Sequence, residues 1–171
     1  MTHPNAELEA HLDASHEARL ESYKAFLRIP SISTLPAYAA DCRSAADWLV
    51  AAMTSAGLEH AEAVQTDGHP IVYADWLHAP DAPTVLVYGH YDVQPVDPLD
   101  LWTSPPFEPV VVDDRIVARG ASDDKGQVHA HVMAAGALLA TLGRLPINLK
   151  YVFEGGGVEL GPPRRESRGA T

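Results

Sequence analysis

The chain contains 171 residues, of which 46% are hydrophobic and 20% are charged, a balance that predicts one globular domain with a substantial core. Its 12 basic residues against 23 acidic ones give a formal charge of −11, which opposes binding to the phosphate backbone of a nucleic acid. No apolar run approaches the roughly 20 residues that a membrane-spanning helix needs, so we expect no insertion into a membrane.

Two features of the sequence predict a cytoplasmic protein. The polar N-terminal stretch lacks the apolar segment of a secretory signal peptide. Cys42 is the single cysteine, and one thiol cannot form a disulfide within the chain. Proteins without disulfides are typical of reducing compartments, so a cytoplasmic location is the expectation.

The first third of the chain predicts two helices. Apolar residues recur at helical spacing from Ala6 to Ile29, and Pro30 ends this first helix. A second helix is predicted from Tyr38 to Ser55, and the following glycine is suited to its C-terminal cap.

Strands and one further helix follow. The segment "HPIVYADWL" predicts a strand, and "PTVLVYGHYDV" is apolar up to Tyr88, which is typical of a strand buried on both faces. "FEPVVVDDRIVARG" predicts two short strands that turn at Asp113 and Asp114, residues 124–142 predict a third helix, and "INLKYVF" predicts another buried strand. This order predicts an α/β fold in which a mixed, mostly parallel sheet is flanked by helices.

One candidate for chemistry lies in "VLVYGHYDVQP", where His90 and Asp92 follow the predicted strand. Residues two apart in extended chain point to the same side, so both side chains project from the strand end, where open α/β sheets bind ligands. This pair suits a metal-binding histidine oriented by a carboxylate. The alternative is a histidine at a strand end beside an ordinary turn aspartate, because His-x-Asp alone is a weak pattern.

A second candidate lies in "ARGASDDKGQVHAH", where Asp123 and Asp124 begin the predicted third helix. A carboxylate can bridge two divalent ions about 3.5–4 Å apart. The alternative, favoured for this segment alone, is a helix N-cap that the helix dipole rewards. His129 and His131 are two residues apart on a helix, so they point to different sides and do not form a ligand pair.

Three segments, "GHYDVQPVDPLDLWTSPPFEP", "RIVARGASDDKGQ" and "LPINLKYVFEG", occur in the order and spacing of one family. From about Tyr23 to Glu154 the chain closely resembles the di-zinc metallopeptidases that include carnosinase-like dipeptidases, glutamate carboxypeptidases, acetylornithine deacetylase and succinyl-diaminopimelate desuccinylase. The resemblance is nearest to the bacterial dipeptidase branch. It implies that residues 1–154 are the N-terminal part of a catalytic domain that hydrolyses peptide or amide bonds.

The resemblance also implies cofactors, partners and residue roles. It implies two divalent metal ions, zinc with cobalt or manganese as alternatives, a small peptide substrate and homodimers in full-length relatives. His90 is expected to bind one metal ion, Asp92 to hydrogen-bond and orient its imidazole, and Asp123 to bridge both ions. The peptide bond that joins Asp123 to Asp124 is usually cis in this family.

The sequence departs from the family after Glu154. The family places its catalytic base and a metal-binding glutamate shortly after this position, and an ungapped alignment puts Gly157 and Val158 there. Neither side chain can accept a proton or bind a metal ion. Glu159 would replace the metal ligand if one residue were inserted, but the base would still be missing.

Residues 155–171 therefore predict a divergent and disordered tail, and we hypothesise that the coding frame is lost near Glu154. The expectation is a truncated, inactive fragment of a zinc dipeptidase. The alternative is a catalytically dead metal-binding or regulatory α/β module. Hydrolysis of dipeptides by the purified chain distinguishes an active enzyme from both.

Overall fold

The computed structural model describes residues 4–156. The predicted tail lies outside the described residues apart from its first two glycines, and so do the positions expected to hold the catalytic base and the substitute ligand Glu159. The helices are α1 (Pro4–Ala14), α2 (His16–Leu27), α3 (Ala39–Ser55) and α4 (Lys125–Leu142). The strands are β1 (Glu59–Val64), β2 (Ile71–Trp76), β3 (Thr84–His90), β4 (Val110–Val112), β5 (Arg115–Val117) and β6 (Asn148–Glu154).

The first predicted helix is two helices in the structure, so the prediction of one continuous helix was wrong. The break falls at Ser15, whose hydroxyl donates a hydrogen bond to the carbonyl of His11 at 2.7 Å. A serine hydroxyl that bonds to the preceding turn competes with the regular helix, which fits a break at this residue. The apolar spacing continues across Ser15 and therefore carried no sign of the interruption. In contrast, α3 and α4 lie where the sequence predicted them.

The main sheet has the strand order β1-β2-β6-β3. Strand β2 pairs antiparallel with β1 and with β6, whereas β3 pairs parallel with β6. The predicted α/β fold with a mixed sheet is therefore confirmed. Strands β4 and β5 form a separate hairpin, as predicted, and Asp113 and Asp114 turn it with φ angles of +50° and +59°.

Strand β1 was not predicted. Its sequence, "EHAEAV", has few of the branched and aromatic residues that favour strands. The pairing of β1 with β2 is irregular between Glu59 and Glu62, and His60 within this irregularity has a φ of +52°. The edge of the sheet at β1 is therefore locally distorted around His60.

The hydrophobic core lies between the sheet and the helices. Val72 and Ala74 of β2, together with Tyr151 and Phe153 of β6, are buried and pack with side chains of α3 and α4. The alternation of these residues along their strands places them on one face of the sheet. The helices thus cover one face of the sheet, and this packing fixes the position of α4 relative to the ends of the strands.

Strand β3 differs from its prediction. It was expected to be buried on both faces, but Leu86 is 61% exposed and Tyr88 is 63% exposed. The physical reason is its position, because β3 lies at the edge of the sheet and these two side chains point away from the helices.

Within residues 4–156, no helix has the length and apolarity required to cross a lipid bilayer.

Candidate metal centre

The end of β3 lies directly against the start of α4, and Gly89 permits this contact. A Cβ atom added to Gly89 would lie 2.6 Å from Oδ2 of Asp124 and 2.9 Å from Cγ2 of Val128. Both distances are too short for any side chain, so glycine is required here. The approach lets the backbone N–H of His90 donate a hydrogen bond to Oδ2 of Asp124 at 3.1 Å.

The imidazole of His90 lies between two carboxylates. Its Nδ1 is 3.1 Å from Oδ1 of Asp92, and its Nε2 is 3.0 Å from Oδ1 of Asp123. Asp92 is buried, whereas 81% of the Asp123 side chain is exposed. The structure therefore brings the three predicted site residues together at the C-terminal end of β3. Their functional roles stay predictions.

Asp92 is held in place by a residue that the sequence did not single out. The hydroxyl of Ser33, in the loop after α2, donates a hydrogen bond to Oδ2 of Asp92 at 2.5 Å. Burial raises the pKa of Asp92, but the hydrogen bonds from His90 and Ser33 outweigh burial and hold that pKa below its usual value. Asp92 is therefore an ionised carboxylate with a fixed orientation toward His90.

The same carboxylate changes the ionisation of the imidazole. The hydrogen bond to Asp92 raises the pKa of His90 to about 9, with a further contribution from Asp123. Without a metal ion, His90 at neutral pH carries a proton on each ring nitrogen. A metal ion that binds Nε2 takes the place of one proton, because a histidine ligand must be unprotonated at the nitrogen that binds.

The two adjacent aspartates have different contacts. The peptide bond between Asp123 and Asp124 is cis, as the resemblance implies, and the two side chains point to Nε2 of His90 and to the backbone of β3 respectively. Asp124 occupies the N-cap position of α4 but makes no side-chain capping hydrogen bond. The predicted N-cap position is therefore confirmed for Asp124, but its carboxylate bonds to the backbone of β3 and not to the first turn of α4.

Lys125 connects the start of α4 to the end of α2. Its side chain is fully buried, and its Nζ donates hydrogen bonds to the carbonyls of Phe26 at 3.0 Å and Ile29 at 2.6 Å. Burial lowers the pKa of Lys125 to about 7. The sequence analysis missed this role because the bonded residues are nearly 100 positions apart.

His129 and His131, the two histidines of α4, lie away from the candidate metal centre. His129 is buried, stacks on Tyr23 at a ring separation of 5.1 Å, and has its pKa lowered to about 4 by burial. His131 is exposed on the surface of α4. The structure therefore does not bring these two histidines into the centre, in agreement with the prediction from their spacing.

The arrangement around His90 fits a divalent ion. Zinc binds imidazole nitrogen and carboxylate oxygen at about 2.0–2.2 Å, so two ligand atoms on one tetrahedral ion are separated by about 3.3–3.6 Å. The distance between Nε2 of His90 and Oδ1 of Asp123 is 3.0 Å, so a separation of a few tenths of an ångström more would let both atoms bind one ion. A nitrogen and oxygen donor set of this kind suits zinc, and also cobalt or manganese.

Comparison with known proteins supports the family resemblance. Residues 86–156 match the family model described as Peptidase family M20/M25/M40. Beta-Ala-His dipeptidase of Mus musculus is 41% identical over 86 residues, which are 50% of this chain and 18% of that protein. Cysteinylglycine-S-conjugate dipeptidase of Corynebacterium striatum is 34% identical over 128 residues, which are 75% of this chain and 28% of that protein.

Solved structures agree. Human carnosine dipeptidase 1 is similar with a TM-score of 0.81 and 27% identity, over 92% of this chain and 36% of that one. The metallo-carboxypeptidase Sso-CP2 from Sulfolobus solfataricus has a TM-score of 0.72 and 37% identity, over 80% of this chain and 30% of that one. The resemblance to these metallopeptidases is thereby confirmed, and the chain spans about a third or less of the relatives named here.

Proposed function

We propose that this chain, whose residues 86–156 match the model of Peptidase family M20/M25/M40, contributes part of the metal centre of a zinc-dependent, dipeptidase-like hydrolase. His90 and Asp123 are the proposed metal ligands, and Asp92 is the residue that orients His90. One observation carries the proposal: a single imidazole lies 3.1 Å from a buried carboxylate and 3.0 Å from an exposed one. This is the relation expected between an orienting carboxylate, a histidine ligand and a second ligand.

When bound, divalent ions supply Lewis acidity that polarises an amide carbonyl and makes a water molecule more acidic. Residues of this chain orient the side chains that would bind those ions. Asp92 accepts a hydrogen bond from the Nδ1–H of His90, which would leave Nε2 as the nitrogen available to an ion. Ser33 holds Asp92 by its hydrogen bond. The exposed carboxylate of Asp123 has a second oxygen that can bind a second ion, as a bridging ligand must.

The relatives support the reaction class. The proteins reported above are named as dipeptidases and a metallo-carboxypeptidase, so a short peptide is the proposed substrate of the whole protein. The same proposal includes a cytoplasmic location, which fits the buried free thiol of Cys42. The alternative of a regulatory module is not favoured, because the matched proteins are enzymes.

The 171-residue chain is expected to bind metal ions without hydrolysing peptides. Gly157 and Val158 stand where the family has its catalytic base and a metal-binding glutamate, and neither side chain can perform those functions. We therefore expect no turnover of Ala-Ala or Cys-Gly above background by the purified chain with added zinc. Zinc-dependent cleavage by this chain would contradict that part of the proposal.

Metal binding tests the ligand assignment directly. Zinc affinity would be measured by competition with a chromophoric chelator for the full chain and for H90A, D123N and D92N. We expect H90A and D123N to abolish zinc binding at this centre. D92N should lower the zinc affinity by roughly 10–100-fold, the usual effect of losing a partner that orients a ligand.

The matched control is H131A, which removes an exposed histidine from α4 outside the centre. It should bind zinc as the parent chain does. If H90A and D123N bind zinc with the parent stoichiometry and affinity, the proposed ligand assignment is wrong.

A further inference from the structure

A second group of histidines and carboxylates lies at the opposite edge of the sheet. Glu59, His60 and Asp75 each offer a ligand atom, and these three atoms lie within 4.8 Å of one another. Nδ1 of His60 is 2.7 Å from Oδ1 of Asp75. Nε2 of His78, from the segment after β2, is 2.8 Å from Oε2 of Glu59. These four residues are called the β1 cluster below.

The backbone distortion in β1 produces this cluster. The regular pairing of β1 with β2 is interrupted between Glu59 and Glu62, and His60 lies in that interruption with a φ of +52°. The left-handed region is unfavourable for a residue with a side chain, and bulges are known to redirect side chains. A regular strand would avoid this unfavourable backbone conformation. The distortion of β1 therefore accompanies the contact of His60 with Asp75.

Asp75 is the buried member of the cluster. Only 7% of its side chain is exposed, and the hydroxyl of Tyr73 donates a hydrogen bond to its Oδ2 at 2.7 Å. One oxygen is thus fixed by Tyr73 while the other faces His60. Glu59, His60 and His78 are exposed, so an ion in solution can reach them.

The donor types indicate which ion fits. Zinc binds imidazole nitrogen together with carboxylate oxygen, whereas magnesium and calcium prefer oxygen ligands alone. We propose that the β1 cluster binds one zinc ion through Glu59, His60 and Asp75. His78 is a positioning residue that orients Glu59 through its hydrogen bond.

The bound ion would join the edge strand β1 to β2. Strand β1 buries little apolar surface of its own, since four of its six residues are exposed and the other two are alanines. An ion that binds the native protein and not the unfolded chain stabilises the fold by an amount that rises with the logarithm of its concentration above the dissociation constant. The inferred site is therefore structural and is separate from the centre at His90.

The test uses the full chain with H90A and D123N, which silence the other centre. Zinc chloride is titrated against a chromophoric chelator, and melting temperature is followed by circular dichroism. We expect one zinc per chain, and a rise of roughly 5–10 °C in melting temperature at a hundredfold excess over the dissociation constant. Magnesium chloride at the same concentration should produce no rise.

Substitutions in the exposed members locate the site without disturbing the buried one. In that background, H60A and E59Q should each lower zinc affinity at least tenfold and remove the thermal shift. H78A should lower affinity less, and H78Q, which keeps a hydrogen-bond donor for Glu59, should recover it. H131A again serves as the control for loss of an exposed histidine.

The outcomes separate the two metal proposals. Zinc binding that survives unchanged in both H60A and E59Q, or no zinc binding in the parent background, overturns the site at the β1 cluster. Neither result bears on His90 and Asp123, which are already substituted in these chains. Loss of binding at the His90 centre would likewise leave the β1 cluster untouched.

Discussion

The two faces of the sheet differ sharply although they are formed by the same strands. On the face toward α3 and α4, Tyr151 and Phe153 are almost completely buried. On the other face, Leu86 and Tyr88 are largely exposed, one strand away on β3. Lys150 lies beside Leu86 on the open face, so the two faces differ in composition as well as in what packs on them.

This difference shows where the stability of the described residues resides. The helix-covered face supplies the core, and it also fixes α4 against the end of β3, where the candidate metal centre lies. The open face contributes little burial. Substitutions of similar size should therefore have large effects on the covered side and small effects on the open one.

The largest effect is expected from Phe153→Ala on the covered face. Removal of a fully buried phenylalanine leaves a cavity, and such changes reduce the free energy of unfolding by about 3–5 kcal/mol. Urea denaturation followed by fluorescence measures the loss. Val152→Ala, the adjacent residue on the opposite face, is the control and should cost roughly 1 kcal/mol. Equal losses for the two variants would remove the contrast between the faces.

The next effect concerns acid and His129, which is buried on the covered side. Its pKa in the folded state is about 4, below its ordinary value of 6.5. The stability due to the neutral ring is therefore complete above pH 6.5, declines as the pH falls from 6.5 toward 4, and levels off below 4 after a total loss of up to about 3 kcal/mol. Urea denaturation of His129→Gln between pH 7 and pH 4.5 should show a smaller decline than the parent chain.

The control for acid sensitivity is His131→Gln, on the exposed side of the same helix. It should decline with pH as the parent chain does. A parent-like decline in His129→Gln would mean that this histidine does not resist protonation in the folded protein.

A smaller effect is expected at Gly89, which faces α4. Because the added Cβ would collide with Asp124 and Val128, Gly89→Ala should cost about 1–3 kcal/mol in the free energy of unfolding and weaken zinc binding at His90. Gly68→Ala is the matched control, since its Cβ would meet only the Thr66 hydroxyl at 3.8 Å. Unchanged stability and zinc affinity in Gly89→Ala would contradict the close contact of β3 with α4.

The smallest effect is expected at Leu86 on the open face. Leu86→Glu places a carboxylate opposite Lys150 in the adjacent strand, so the free energy of unfolding should change by less than about 0.5 kcal/mol. Removing an exposed apolar side chain from an edge strand should also increase the monomer fraction in size-exclusion chromatography. A loss of more than about 2 kcal/mol would show that Leu86 is covered in solution.

Local patterns predicted most of the fold. The helical spacing located α3 and α4, and the paired aspartates located the turn of the β4–β5 hairpin. The motifs around His90 and Asp123 were weak by themselves, and the resemblance to the metallopeptidases, carried by three such segments in order, located the candidate centre. These features depend on neighbours within a few positions.

What the sequence did not predict depends on distant contacts. Whether β3 has one covered face or two depends on which parts of the chain pack against the sheet, and its own apolar run carries no information on that. The hydrogen bond from Ser33 to Asp92 joins residues 59 positions apart, and no local pattern marks Ser33. Strand β1 escaped prediction because its pairing with β2 overrides the weak strand preference of its residues.

The hydrogen bonds of Lys125 and Ser33 have a consequence for the segment 86–156 that the family model matches. That segment contains His90, Asp92 and Asp123, but the hydroxyl that fixes Asp92 and the carbonyls that hold the start of α4 come from residues 26–33. A peptide limited to the matched segment would carry every proposed residue of the centre at His90 and lack the contacts that orient them. The centre thus depends on residues 26–33, at the end of α2 and in the loop after it, and the matched segment alone would not form it.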